Sequence, residues 1–155
     1  MKKNSILQCL TLLIIVIINI KVFAFTTAET NLKITIVGLK SGVGDVGLTL
    51  FNKNNEKYFP LHPEKALIED YKHLNGSHEI EFVYLNLPPG EYAALAYHDE
   101  DQNKKINTNF LGLPSEGYGA SQNAPSSFGP PSFKDAKFNL PDSNSEIAIE
   151  FRINY

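Results

Sequence analysis

Apolar and polar residues alternate along several segments of the chain. This alternation predicts half-buried strands in antiparallel sheets, because successive side chains of a strand point to opposite faces. Residues 42–45 are predicted to form a tight turn between the first two strands, and Asn75-Gly76 a turn before the third. The alternating apolar positions are Leu32, Ile34 and Ile36; Val46, Leu48 and Leu50; Ile80 and Phe82; and Ile147, Ile149, Phe151 and Ile153.

One segment, Pro63 to Leu74, has the spacing of a helix. Its apolar residues Leu67, Ile68 and Tyr71 fall on one side, and Pro63 is suited to a first helical turn. The following Asn-Gly pair is a typical stop. One short helix among at least six strands predicts an all-β domain.

The run from Leu85 to Tyr92 is the most specific structural signal. Pro88, Pro89 and Gly90 predict a turn between two strands, and Tyr92 follows where its hydroxyl can bond back to that turn. This arrangement resembles the tyrosine corner of Greek-key sandwiches, and the run L-P-P-G-x-Y resembles transthyretin-like and carboxypeptidase-regulatory-like domains. The resemblance implies an immunoglobulin-like or transthyretin-like β-sandwich of about seven strands. Tyr92 could equally be a core residue within the same fold.

A long segment from His98 to Lys134 carries little strand signal. Loops of this length in compact domains are usually functional or disordered. Apolar and aromatic residues within the segment favour order, so we expect a crossover that covers one end of the sandwich. These residues are Phe110, Leu111, Leu113, Tyr118, Phe128 and Phe133.

The N-terminal residues resemble a secretory signal peptide. Lys2 and Lys3 precede an apolar stretch from Ile6 to Ile20, and a cleavage site ends at Ala24. We therefore expect a signal peptide at 1–24, a linker at 25–30 and one domain at 31–155, located in the periplasm or outside the cell. Cleavage after Ala28 and an uncleaved anchor are the alternatives. Once the signal is removed, no membrane span is expected.

Composition narrows the possible partners. Signal removal takes three of the 14 basic residues and none of the 17 acidic ones, which leaves a formal charge of −6. The mature chain therefore offers no basic face for nucleic acid. The single Cys, Cys9, also leaves with the signal. An exported domain without disulfides depends on its core, and mildly acidic ones can recruit calcium.

Three runs carry a resemblance to a known family. They are HDEDQNKKINTN at 98–109, GLPSEGYGAS at 112–121 and PSFKDA at 131–136. Over Leu32 to Tyr155 the chain resembles the domain of unknown function 2141 family, which implies a secreted bacterial protein but no activity. The chain departs from the family pattern at Asp101 (usually Asn), Lys104 (usually Gly), Asn107 (usually Asp) and Ala120 (usually Phe).

The first of these runs also follows a calcium-loop pattern. Its alternate oxygen-bearing side chains can converge on a hard cation. The match is partial, because Lys104 stands where Gly is usual and Phe110 where the bidentate Glu is usual. Asp99 and Asp101 are expected to lie outside the core strands. The alternative is an Asx-rich surface turn. The predicted ligands are Asp99, Asp101, Asn103, the Lys105 carbonyl, Asn107 and Glu116.

Catalysis is the less favoured interpretation. His98 and Glu116 are residue types used by hydrolases, but His98 and Asp99 are neighbours in a strand and point to opposite faces. The remaining histidines, His62, His73 and His78, show no zinc-ligand spacing. We therefore predict a non-enzymatic binding or structural module.

The partner of such a module is open. In one alternative, the chain is an accessory domain that contacts a peptide or carbohydrate through the loop at 110–133. Tyr118, Phe128 and Phe133 would then be the contact residues. The same three rings could instead form the core of the loop, so their exposure distinguishes the two interpretations.

Overall fold

The computed structural model describes residues 30–126 and 129–155, which form eight strands. The predicted signal peptide and residues 25–29 of the predicted linker lie outside this part of the chain. The first strand begins at Thr30, one residue before the predicted domain start. The strands are β1 (Thr30–Val37), β2 (Asp45–Asn52), β3 (Ile68–His73), β4 (Ile80–Leu87), β5 (Gly90–Asp99), β6 (Tyr118–Ala120), β7 (Phe138–Leu140) and β8 (Glu146–Arg152).

These strands build two sheets, as an all-β sandwich requires. One sheet has the order β4-β1-β8, and the other has the order β3-β2-β5-β6, with β7 also paired to β5. The predicted turn near residue 42 therefore carries the chain from one sheet to the other. Among the described pairs, β1 with β8 is parallel and the rest are antiparallel. The all-β prediction is confirmed, with one parallel pair and one strand more than expected.

The main core fills the space between the sheets. Alternate residues of β1 are buried, and Ile34 lies opposite Phe82 of β4 and Ile149 of β8. From the second sheet, Leu48 and Ala96 enter the same cluster. Side chains of both sheets thus interdigitate in one core cluster, as dense packing requires.

A second, smaller cluster covers the outer face of β2 and β5. Phe51 and Ala93 belong to it, and the Phe59 ring packs edge-on between the rings of Phe51 and Phe133. Phe133 lies in the short helix α1 (Phe133–Ala136). The central strands of this sheet are consequently buried on both faces, which explains why their apolar runs are nearly continuous.

The predicted helix at Pro63–Leu74 is wrong. Pro63–Lys65 forms one 3₁₀ turn, and the chain then continues as the edge strand β3. Ile68 pairs with Leu50 and His73 with Asp45. Pairing with β2 supplies backbone hydrogen bonds along the strand, and this tertiary gain overrides the weak helical spacing.

The long crossover is ordered but differs in detail from the prediction. It begins after Asp99, because β5 includes both His98 and Asp99. It contains β6, a 3₁₀ turn at Ser121–Asn123 and α1. Within the described residues, no helix is long and apolar enough to cross a membrane.

Candidate functional site

Three carboxylates converge where the loop at 100–117 leaves and rejoins the second sheet. Asp99 ends β5 and is fully buried, Asp101 is exposed, and Glu116 is 7% exposed just before β6. One oxygen of each lies within 4.8 Å of the others. Sequence reasoning assigned these three residues to one site, and the structure brings them together. We call this group the loop base.

Asp99 closes the first turn of the loop. Its Oδ1 accepts the backbone N–H of Asn103 at 3.0 Å, and its Oδ2 accepts that of Lys104 at 2.8 Å. Lys104 has φ +61°, so this non-glycine residue occupies the left-handed conformation that the pattern assigned to Gly, at a cost of about 1 kcal/mol. The expectation that Asp99 lies outside the core strands is wrong, because it is the buried end of β5.

Side-chain amides surround Asp101. Asn103 Nδ2 and Asn107 Nδ2 each donate to its Oδ2 at 2.9 Å, and Asn103 Nδ2 also donates to Asn107 Oδ1 at 2.8 Å. The hydrogen bond from Asn107, supported by Asn103, holds the pKa of the Asp101 carboxyl below its usual range. Lys105 joins this network through its backbone N–H, which donates to Asn103 Oδ1 at 2.8 Å.

Glu116 ties the two sides of the loop together. Its Oε1 accepts the backbone N–H of Glu100 at 3.0 Å, and its Oε2 accepts that of Asn107 at 2.9 Å. A buried carboxylate needs such partners, because an unpaired buried charge is costly. An ionised carboxylate has about four lone-pair sites, so Asp99 and Glu116 retain acceptor capacity after these bonds. The loop base can therefore offer oxygen ligands to a hard cation.

His98 faces away from this group and is held on both sides. Its Nε2 lies 2.7 Å from the Val43 carbonyl oxygen, and its Nδ1 lies 2.6 Å from the Tyr155 hydroxyl. Since a carbonyl only accepts, the neutral ring carries its proton on Nε2 and accepts from Tyr155. The ring is fully buried, so the geometry favours an anchor that ties β5 to the turn before β2 and to Tyr155 over a general base.

The other histidines have separate partners. His62 lies beside Glu64, His73 Nδ1 is 2.7 Å from Asp45, and His78 contacts the Leu39 carbonyl. Within residues 30–126 and 129–155, the loop base is the one group of three His, Cys, Asp or Glu residues close enough for a metal.

The far end of the loop exposes apolar side chains that sequence reasoning did not single out. Phe110 is 93% exposed, Leu111 67% and Leu113 57%. We call these three residues the apolar tip. Their composition had indicated only that the loop is ordered. No local signal separates these exposed side chains from buried ones, because Phe and Leu in a loop are compatible with either environment.

Of the three rings proposed as ligand contacts, the two that the structure describes are not fully exposed. Phe133 is 7% exposed and packs against Phe59, with ring centroids 6.0 Å apart. Tyr118 is half-buried in β6. Phe128 lies outside the described residues. Among the described residues of this loop, the exposed large apolar side chains are therefore those of the apolar tip, and Phe133 is not one of them.

The Pro-Pro-Gly turn has the contact that the tyrosine corner requires. The Tyr92 hydroxyl donates to the Pro88 carbonyl at 2.8 Å, and its ring stacks on Phe138. Pro89 lies in this turn, and Gly90 follows it with φ +148°, a conformation that side chains rarely adopt.

The architecture defines a small all-β sandwich protein with one elaborate loop. The chain matches, over residues 34–148, the family described as "Uncharacterized protein conserved in bacteria (DUF2141)", and it belongs to that family. The matched range includes the whole loop base and the apolar tip. No curated protein and no solved structure matches the chain.

Proposed function

We propose that this chain is an exported, non-enzymatic binding module that binds calcium at the loop base and presents the apolar tip to a partner. The observation that carries the proposal is the convergence of Asp99, Asp101 and Glu116, two of them buried, beneath an exposed apolar hairpin. Export is supported by the signal-like N-terminal residues.

The ligand chemistry favours calcium. Carboxylate and amide oxygens are hard donors, and calcium accepts six to eight of them in flexible geometry. Asn103 and Asn107 border the three carboxylates and could add amide oxygens. The low pKa of Asp101 keeps this exposed group ionised under neutral conditions. A bound ion would also reduce the repulsion among three negative groups.

Weak affinity is expected. Lys104 brings a positive charge and a strained backbone to the position usually held by Gly. Phe110, at the position of the usual bidentate Glu, is exposed at the tip, and Glu116 must supply that carboxylate from the other side of the loop. Dissociation constants of extracellular calcium modules lie at about 10⁻⁴ to 10⁻³ M.

The binding role is supported by the same loop. His98 is committed to Val43 and Tyr155, and both Glu116 oxygens accept backbone N–H groups, so the geometry does not favour a hydrolase. A peptide or carbohydrate partner for residues 110–133 would meet the apolar tip first.

Calcium should raise the melting temperature of the chain. The test uses the chain starting at Phe25, which keeps every described residue of the two core clusters. Calcium at ten times its dissociation constant stabilises the folded state by about 1.4 kcal/mol. We expect this gain in about 10 mM calcium relative to chelator, measured by thermal or urea unfolding.

Asp101→Asn is the informative variant. Asp101 is exposed, and the substitution keeps an oxygen while removing the charge, so the chain should melt normally in chelator but lose the calcium shift. Asp142→Asn is the matched control, because it removes an exposed carboxylate far along the chain and should keep the shift. Equal melting temperatures of the wild type in calcium and chelator would reject the calcium site.

A further inference from the structure

We propose that the apolar tip inserts into the interfacial region of a lipid bilayer that carries anionic headgroups. The inference rests on the proposed function, because it names the partner of the same loop. Three large apolar side chains point into solvent from four consecutive positions, and Phe110 is almost completely exposed. Exposed apolar groups clustered in this way mark interaction sites.

The backbone of the tip suits a water-poor environment. Thr108 and Pro114 pair as an isolated β-bridge, and Asn109 makes several hydrogen bonds within the turn between them. Asn109 Oδ1 accepts the N–H groups of Leu111 at 2.9 Å and Leu113 at 3.1 Å, and its carbonyl accepts that of Gly112 at 2.9 Å.

The Asn109 N–H itself donates to the Leu113 carbonyl at 2.8 Å. Four donors of the tip are thus satisfied within the hairpin. In a bilayer, every unsatisfied backbone donor would cost several kcal/mol. Because these four N–H groups already donate within the hairpin, they are not available to a partner that binds through backbone hydrogen bonds. This favours a lipid surface over a peptide-binding groove.

The charge of the hairpin fits an anionic surface. Residues 104–115 include Lys104 and Lys105, both exposed, and no acidic residue. At the base, Asp99 and Glu116 are buried and Glu100 pairs with Lys40 at 2.6 Å, so Asp101 is the one exposed carboxylate of these four, and the calcium ion of the proposed function would neutralise it. The Lys104 Nζ lies over the Tyr71 ring, 5.2 Å from its centroid, so Lys105 is the basic side chain that can meet the surface. Exposed Lys, Phe and Leu in one hairpin fit interfacial membrane binding, and anionic lipids add about 1 kcal/mol for each Lys near the surface.

Vesicle flotation with the chain starting at Phe25 tests the inference. We expect partition onto phosphatidylcholine vesicles containing about one third phosphatidylglycerol, and weaker partition onto pure phosphatidylcholine. Phe110→Ala should lower the partition coefficient by about tenfold. Lys105→Gln should lower the preference for the anionic vesicles by about fivefold. Leu61→Ala, which truncates an apolar side chain outside the tip that is as exposed as Leu111 (69% against 67%), should leave the partition unchanged.

Several results would overturn the inference. The first is no partition onto either vesicle, and the second is a loss of partition with Leu61→Ala equal to that with Phe110→Ala. The third is an oligomer in solution that Phe110→Ala dissociates, because the tip would then bind a second copy of the chain. The calcium-induced melting shift of the same preparation is measured in parallel. A normal calcium shift without partition rejects only the lipid partner, whereas partition without a calcium shift rejects only the calcium site.

Discussion

At the loop base the carboxylates of Asp99 and Glu116 are 0% and 7% exposed, whereas at the tip Phe110 is 93% exposed. A single loop thus buries charge at one end and exposes apolar surface at the other, the reverse of the usual distribution. Each end depends on a different kind of support. Backbone N–H groups satisfy the buried charges, and the Asn109 turn holds the exposed side chains outward.

The comparison indicates where stability and binding reside. Removing a partner from a buried hydrogen-bonded group leaves an unsatisfied donor or acceptor, which costs free energy. Truncating a side chain that contacts only water removes little. Substitutions at the base should therefore affect the stability of the loop, whereas substitutions at the tip should affect binding with little change in stability.

Of the two ends of the loop, the base should show the larger effect. Asp99→Ala leaves the N–H groups of Asn103 and Lys104 without their acceptor. We expect a loss of about 3 kcal/mol in the free energy of unfolding, measured in urea with chelator present. Asp142→Ala, an exposed carboxylate, should change it by less than about 0.5 kcal/mol. A loss below about 1 kcal/mol for Asp99→Ala would show that water replaces the carboxylate.

The base was predictable from the sequence because most of it is local. Asp99, Asp101, Asn103 and Asn107 are close in the chain, so their alternation alone indicates a common centre. Glu116 was added to this group to supply the carboxylate missing at Phe110, and one of its oxygens lies within 4.8 Å of those of Asp99 and Asp101. The exposure of the tip was not predictable, because Phe and Leu in a loop are equally compatible with burial.

The same distinction holds for the sandwich. Strands β1 and β8 were evident because one face of each is buried against the opposite sheet. β3 was mistaken for a helix because none of its residues is fully buried, so no apolar alternation marks it and its identity depends on pairing with β2. β6 and β7 have three residues each, too few to show any alternation. Local alternation reveals a strand that buries one face, whereas a strand without buried residues is recognised only from its pairing partner.

The Pro-Pro-Gly turn can be compared with the turn at the loop base, because a neutral side chain rather than a charged one binds it. The Tyr92 hydroxyl binds the Pro88 carbonyl as Asp99 binds its turn, but without charge. Neutral hydrogen bonds contribute less than charge-assisted ones, so Tyr92→Phe should lower the free energy of unfolding by about 1 to 2 kcal/mol. Urea unfolding measures the loss. A loss equal to that of Asp99→Ala would mean that charge at the loop base adds nothing, and no loss would assign the role of Tyr92 to its ring.

The smallest effect is expected at the tip. Phe110→Ala should change the free energy of unfolding by no more than about 0.5 kcal/mol, because the ring contacts almost nothing in the folded chain. Phe133→Ala is the matched comparison, since it removes the same ring from the cluster with Phe59 and should cost about 3 kcal/mol or more. Urea unfolding of the two variants, side by side, measures both. If Phe110→Ala were as destabilising as Phe133→Ala, the tip would be packed in solution, and neither a lipid surface nor any other partner would find it free.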